Sequence, residues 1–475
     1  MKGFQYFRVA LFCCAVLAPA LAQTQETQPQ DMQQMQDKIK QLEQLTDELK
    51  ARLSTLEKSQ PTAQPAAPPA TPQPTETSVT PPTAAPSATP AENKGAEEKA
   101  RMDIYGFAML DMGYDFGQND PNWFDVMRPT KLASSANQFG NNGRFYSGVR
   151  QSRLGVKSYL PTGLGELKTI FEFEMFGTGV DAGQTTFRLR HAWGELGQFG
   201  AGQTWSPFMD PDVFPNSLEY WGPNGMVFFR NVQLRWMPVN KGNHQLYFAI
   251  ERPGASADLG VIANRIELLN VQARFPAPDM SARFRWGGER GYVQVAGIGR
   301  YIAWDDLKPV AFNLGGHTWG WGVNLSSNLP VAKKDAVKLS VTYGEGVENY
   351  MNDAPVDIAP IATGQPLRPI NGEPLPVFGM VAFYDRYWSE RWSTSVGYSM
   401  LNIENAPLQT PDAFHRGQYG LANLLFYPSK NAMMGGEFQW GRRQNARDGF
   451  SIDDYRIQLG FRYNFDFKLG GGTTK

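Results

Sequence analysis

Cysteine is almost absent: the chain has two, Cys13 and Cys14, adjacent to each other in its first stretch. A pair so placed supports neither a disulfide framework nor thiol chemistry. Histidine is as scarce, with His191, His244, His317 and His415 as the whole complement. No serine–histidine–acid grouping recurs around them and no H-x-x-x-H spacing occurs, so a nucleophile with its base, a metal site and an enzyme of either kind are not expected, nor is any cofactor. Charge of one sign is missing too: the formal net charge is -1, which argues against a nucleic-acid partner. Beyond residue 22 there is no run of about 18 apolar residues, which excludes helical membrane spans. It does not exclude a closed β-barrel, whose strands show lipid only every second residue.

The sequence is rich in aromatics, at 13%, and in glycine, at 48 residues, while its mean hydropathy is polar at -0.41. That combination is odd for a soluble enzyme. The length suits one large barrel or two to three ordinary domains.

The start reads as a secretory signal over 1–22. Lys2 and Arg8 give the basic region, 9–17 a short apolar stretch, and Ala20-Leu21-Ala22 an A-x-A cleavage site. A lipoprotein would carry cysteine at the cleavage point, and Gln23 stands there. In 23–60, Met32, Met35, Ile39, Leu42, Thr46, Leu49, Leu53 and Leu56 follow an unbroken 3,4 spacing, the seam of a self-associating coiled coil. A lone amphipathic helix is the plainer alternative, but one this polar has no evident packing partner. The mixed a positions leave the number of helices open. Residues 61–102 form a linker, with ten prolines in 61–100 among Ala, Thr, Ser and Gln, an extended tether without a core.

From 103 to 467 apolar and polar residues alternate. Tyr455, Ile457, Leu459, Phe461, Tyr463, Phe465 and Phe467 interleave with Arg456, Gln458, Gly460, Arg462, Asn464 and Asp466. A period of two sustained this long puts one face in lipid and one in water, and strands of soluble sandwiches are usually shorter. Comparable segments run over 104–116, 144–159, 166–176, 186–196, 199–206, 227–237, 244–251, 280–287, 291–303, 316–328, 335–346, 375–388, 391–403, 414–427, 432–443 and 453–467. The expected fold is therefore an all-β transmembrane barrel of 16 antiparallel strands. Reading 261–275 as a hairpin instead of a loop would make it 18. Short connections such as 197–198 and 389–390 alternate with long ones such as 117–143, 207–226 and 347–374, as barrels with turns on one side and loops on the other require. An even count places both ends of the barrel domain on the periplasmic side. Aromatics gather at strand ends, as Trp388 and Trp392 do, where amphipathic rings prefer the headgroup level.

Alternation also assigns the lumen. Lys168, Glu172 and Glu174 face inward, as do Arg188 and Arg190, Arg283 and Arg285, Arg235 with Asn231 and Gln233, and Arg300 with Gln294. The same rule sends Trp193 and His191 outward. An arginine facing lipid at mid-depth costs roughly 2–4 kcal/mol, so these side chains belong inside. Guanidinium groups bind carboxylates in pairs of hydrogen bonds, so a wall of them would favour small anionic, carboxylated solutes. The plainer reading pairs them with Glu172, Glu174 or Glu437 as wall filling. Residues 207–226 form a Pro- and Gly-punctuated loop with room to fold inward past Gly200 and Gly202, bringing Asp210, Asp212 and Glu219 to the arginines. An exposed surface loop is the alternative.

With these pieces placed, the sequence resembles the DcaP-like outer-membrane porins. The resemblance rests on QSRLGVK (151–157), FRLRHAWGELGQFGAGQTWSPFMDPD (187–212), EYWGPNGMVFFRNVQLRW (219–236), FYDRYWSERW (383–392) and GGEFQWGRR (435–443), in order over 103–467. It implies a homotrimer of sixteen-stranded barrels in the outer membrane of a Gram-negative cell, each narrowed by its third loop. It implies passage of small dicarboxylates, aromatic ones included, and trimerisation of 32–56. Arg153, Arg188 and Arg190 match the family's basic strand positions opposite that loop. Arg230 matches as well, but alternation groups it with Phe228, Val232 and Leu234 on an outward face. The tail, 468–475, departs from the family habit of ending on an aromatic. A tether to peptidoglycan through the N-terminal region, with a non-selective pore, is the rival function. A sugar channel would want an aromatic slide where the inward positions here are cationic.

Overall fold

The computed structural model describes residues 100–309, 312–332 and 334–470, with Lys40 alone ahead of them. The expected signal peptide, coiled coil (that lysine apart), the linker through residue 99 and tail residues 471–475 lie outside the described residues.

Period-two patterning becomes strand after strand. The first are β1 (Arg101–Asp115), β2 (Arg144–Gly148), β3 (Arg153–Thr162), β4 (Gly165–Phe176), β5 (Thr185–Leu196), β6 (Phe199–Trp205) and β7 (Arg230–Lys241). Then come β8 (His244–Glu251), β9 (Val271–Arg274), β10 (Asp279–Gly288), β11 (Gly291–Asp306), β12 (Gly316–Pro330) and β13 (Ala336–Glu345). The last are β14 (Ile358–Gln365), β15 (Arg368–Pro374), β16 (Pro376–Tyr387), β17 (Trp392–Ile403), β18 (Phe414–Ser429), β19 (Ala432–Asn445) and β20 (Ser451–Gly470). Neighbours pair antiparallel, and β20 pairs back onto β1 from Gly470 opposite Arg101 to Arg456 opposite Asp115, closing the sheet.

The wall has sixteen strands. β2 and β3 count as one, because both lie against β1, Gly148 opposite Asp111 and Arg153 opposite Phe107. β9 pairs only with the far end of β11, and β14 only with β15. Every expected segment holds a strand of this wall, and the eighteen-strand alternative does not arise. Three details differ from the sequence reading. The stretch 261–275 is two short 3-10 turns and β9, not plain loop. The connection expected over 347–374 carries the β14–β15 hairpin. The single strand expected over 144–159 is also broken at 149–152. There the Arg150 guanidinium is drawn to the Gly177 and Gln184 carbonyls and to Asp125, and the Ser152 hydroxyl accepts the Met109 N–H in place of a ladder partner.

The faces are inside out compared with a soluble protein. On β20, Asp454, Arg456 and Gln458 are 0% exposed, while Tyr455, Ile457 and Leu459 are 45–46% exposed. Polar side chains fill the interior and an apolar band looks outward, as a barrel wall in lipid demands. Turns at one end are tight: Gly197 and Gly242 sit at φ 59 and 58, a region open to glycine without penalty. The long connections gather at the other end.

Three of those connections share an apolar cluster that includes Met127, Phe208, Met209, Val227, Tyr350 and Met351. The segment between β6 and β7 touches inner-face side chains of successive strands. Asp210 meets Arg285, Tyr292 and Ser326. The Phe214 carbonyl accepts from Lys338, and Asn216 reaches Asp385 and Ser393. The Leu218 and Glu219 amides donate to Glu437 at 2.8 and 3.0 Å. Farther on, the Gly225 amide donates to the Ser399 hydroxyl at 2.8 Å. The approach there is so close that a Cβ on Gly225 would collide with the Met380 and Met400 carbonyls.

Candidate channel-lining site

The charged centre is built on β3, β4 and β5. Two glutamates two residues apart on β4, Glu172 and Glu174, share a face because strand side chains alternate. Opposite them on β5 the register shifts: Glu172 lies across from His191 and Phe173 from Leu189, leaving Arg190 as the extra residue of a β-bulge. The bulge re-aims everything after it. Arg188 and Arg190 point inward as expected, but so do His191 and Trp193, which alternation had sent outward. His191 Nδ1 lies 2.9 Å from the Thr204 hydroxyl, and the Trp193 ring lies under the Arg235 guanidinium.

Four guanidiniums gather on the two carboxylates. Arg190 spans both, its Nε 2.6 Å from Glu172 Oε1 and its Nη1 2.5 Å from Glu174 Oε2. Arg153 stands at 3.6 and 3.5 Å from the same two oxygens. Arg188 and Arg230 each stand 3.6 Å from Glu174 Oε1. The Tyr105 hydroxyl donates to Glu172 at 2.7 Å, and that of Tyr220 donates to Glu174. The plain alternative of wall-filling ion pairs is thus half the answer: the arginines are paired, yet two positive charges are left over. Arg153 Nε and Arg230 Nη1 have no hydrogen-bond partner.

Arg230 corrects its outward assignment. It opens β7 where the wall bends into the preceding segment, and its side chain lies over the Trp205 ring against Glu174. Parity does not decide where its charge ends up, because Arg230 is the last rung of the β6–β7 ladder, opposite Trp205, and its long side chain reaches Glu174 from there.

Two cavities flank the cluster. One of about 300 Å³ is lined by Arg128, Arg188, Arg230, Tyr220 and Phe228. The other, about 280 Å³, is lined by Arg153, Arg190, Arg462, Trp205, Tyr220 and Phe228. Tyr220 and Phe228 belong to both. A third cavity of about 150 Å³ among the loops, lined by Ile302, Trp304, Leu314 and Ile358, is apolar and carries no arginine.

The remaining expected residues fall elsewhere. Arg285 is taken up by Asp210 and Asp212, at 2.7 and 2.6 Å, so those two acids fasten their segment to β10 and do not face the four-arginine cluster. Arg235 and Arg283 are buried farther along the wall against Tyr247, with no carboxylate bridged to either among the described residues. Arg300 is bound to Asp279 and Asp357. Glu219 accepts the Met127 and Gly222 amides instead of opposing the arginines, and burial, with Glu437 nearby, pushes its carboxyl up to about 8. Glu437 itself receives backbone amides, not an arginine.

Two lining residues escaped sequence reasoning. Arg462 sat in a clean alternation beside Arg456 and was legible. Arg128 was not: it lies in a loop, stacked against Trp123 and Trp221 and bound to Asp353 at 2.8 Å, contacts no local pattern announces.

A family model described as DcaP outer membrane protein matches residues 87–465. Among solved structures, the outer membrane channel DcaP of Acinetobacter baumannii superposes with a TM-score of 0.64 at 19% identity, covering 77% of this chain and 97% of that one. The anion-selective porin from Comamonas acidovorans gives 0.48 at 12% identity, covering 77% and 100%. OmpT, an outer membrane protein of Vibrio cholerae, gives 0.46 at 10%, covering 77% and 98%. The first of these likenesses is one of fold; the other two are too loose to carry an argument. No curated protein matches the chain.

Proposed function

This chain belongs to the DcaP outer membrane protein family, and from that premise we propose that its barrel passes small anionic solutes passively, dicarboxylates among them. The observation that carries the reading is the surplus of guanidinium over carboxylate where Arg153, Arg188, Arg190 and Arg230 meet Glu172 and Glu174. Lumen charge sets what a channel admits, and an arginine donates two parallel hydrogen bonds to a carboxylate. Arg188 and Arg230 face one cavity and Arg153 the other, so a carboxylate meets a cation on both sides of the narrows.

In this reading the segment between β6 and β7 is an inward-folded third loop that sets the bore, fastened by Asp210 and Asp212 on Arg285 and by the Glu219 and Leu218 amides on Glu437. The long connections face the outside of the cell and the short turns the periplasm, where the heptads of 32–56 hold three copies together beyond the linker. A homotrimer of barrels follows. The rival, a peptidoglycan tether with a non-selective pore, separates by deletion of 23–100: a channel still conducts selectively, and a pure tether loses its role.

The deciding experiment is the zero-current potential of the purified protein in planar bilayers under a salt gradient, repeated with succinate or phthalate. Anion preference with current block by the dicarboxylate supports the reading. Cation preference without block overturns it.

A further inference from the structure

The four arginines are not held alike. Arg190 is spent: both of its bonds to the glutamates are at charge-assisted hydrogen-bond length. Arg153, Arg188 and Arg230 stand at 3.5–3.6 Å, beyond hydrogen-bond length, and Arg153 Nε and Arg230 Nη1 bond to nothing. Each of these three faces a cavity with donors in reserve while resting against a carboxylate of the wall.

We propose that Glu172 and Glu174 are resident stand-ins for the solute's own carboxylate, and that they set how fast a bound anion leaves. The inference rests on the anion reading above. When a solute carboxylate enters, Arg188 and Arg230 swing their free donors to it. When it moves on, the guanidiniums return to Glu174 rather than to bare, unneutralised burial. Arg153 repeats the exchange on the other side with both glutamates as its resting partners. Without a resident carboxylate the guanidiniums would be unpaired whenever the solute left, and burying a charge unpaired is costly, so the solute would be retained. Conduction needs a site weak enough to release what it attracts. The two carboxylates supply that weakness at the point of contact, which a lower overall charge would not do.

The test is Glu174→Gln, which keeps an acceptor for the Tyr220 hydroxyl and removes the charge. Single-channel currents are recorded with succinate added on one side, alongside Glu172→Gln and, as a control, Glu195→Gln. Glu195 lies on β5, accepts the Trp193 indole N–H at 2.8 Å, and is bridged to none of the four arginines. The mean duration of succinate block should lengthen about tenfold in Glu174→Gln, the equivalent of one charged hydrogen-bond difference, with the rate of block onset changing far less. Glu172→Gln should lengthen it too, and Glu195→Gln should leave it unchanged. Equal lengthening in all three would show general charge at work and overturn the stand-in role, as would unchanged or shorter blocks in both cluster variants. If Glu174→Gln fails to insert, Glu172→Gln alone decides. A wild-type pore with neither anion preference nor block overturns the proposed function first, and this inference with it; a wild-type pore that is blocked but insensitive to both variants overturns the inference alone.

Discussion

Arg285 on β10 and Asp210 beyond β6 meet at 2.7 Å, in a contact that joins residues 75 positions apart and fastens a twenty-four-residue connection, 206–229, to the wall at its root. The Tyr292 and Ser326 hydroxyls donate to the same carboxylate at 2.8 and 2.6 Å, and the Asp212 amide at 3.1 Å. Asp210→Ala should cost about 1.5–3 kcal/mol for each charged hydrogen bond lost. Asp212 keeps part of the anchor, so the barrel should still form. The expected result is a lower temperature for loss of the compact band in unheated gels, with a larger and noisier single-channel conductance. Wild-type conductance and band stability would mean that the segment is held elsewhere.

Arg190→Ala should leave assembly intact and move selectivity toward cations. Its removal takes away the guanidinium that bridges Glu172 and Glu174, so the local surplus of positive charge shrinks from two to one. The zero-current potential under a salt gradient reads this directly, and an unchanged potential counts against the arginine wall.

Raising the pH should loosen the segment around Glu219. Its carboxyl is pushed from the usual 4.5 to about 8, by burial first and by Glu437 beside it. A raised acid contributes stability that is complete below 4.5 and is lost as the pH climbs through the folded value of about 8. Current noise should therefore grow between pH 7 and 9, and Glu219→Gln, which cannot ionise, should flatten that dependence. A wild-type trace equally quiet at both ends would dispose of the idea.

Gly225→Ala should displace the same segment from the opposite wall. A methyl there has no room beneath the Met380 and Met400 carbonyls, and the Gly225 amide would lose its bond to Ser399. Conductance should change and thermal stability should fall by about 1–3 kcal/mol, the usual cost of overpacking. Gly163, where a Cβ meets nothing and the backbone is outside the left-handed region, is the matched position at which alanine should change the pore conductance little.

Much of this was legible in the sequence. Strand existence was, because period two is a direct image of lipid on one side and water on the other, and Tyr455 through Phe467 shows it without interruption. Which residues face the lumen was readable only while the register ran true. Arg190 carries no mark of the bulge it creates, so His191 and Trp193 were sent to the wrong face, and Arg230 fell outside the pattern at a strand's start. The arginine surplus was visible in outline as Arg153, Arg188 and Arg190. That Asp210 and Asp212 come to a lumen arginine was expected; that the arginine is Arg285 was not, since a contact between distant positions leaves no local trace. Glu219 is the same case in reverse: an acid in a loop expected near arginines reads as their counterpart until its backbone donors are seen.

The closure of β20 on β1 has a consequence for how the molecule comes into being. The last wall strand to emerge from synthesis must pair with the first, fifteen residues long on the β1 side, and the Arg456–Asp115 bridge at 2.6 Å forms across that junction. Until then both edges are unpaired templates, and partners so far apart in sequence meet slowly. Folding of this chain is therefore a race between its own two edges and any other edge in reach, and its yield will depend on what shields β1 during the wait.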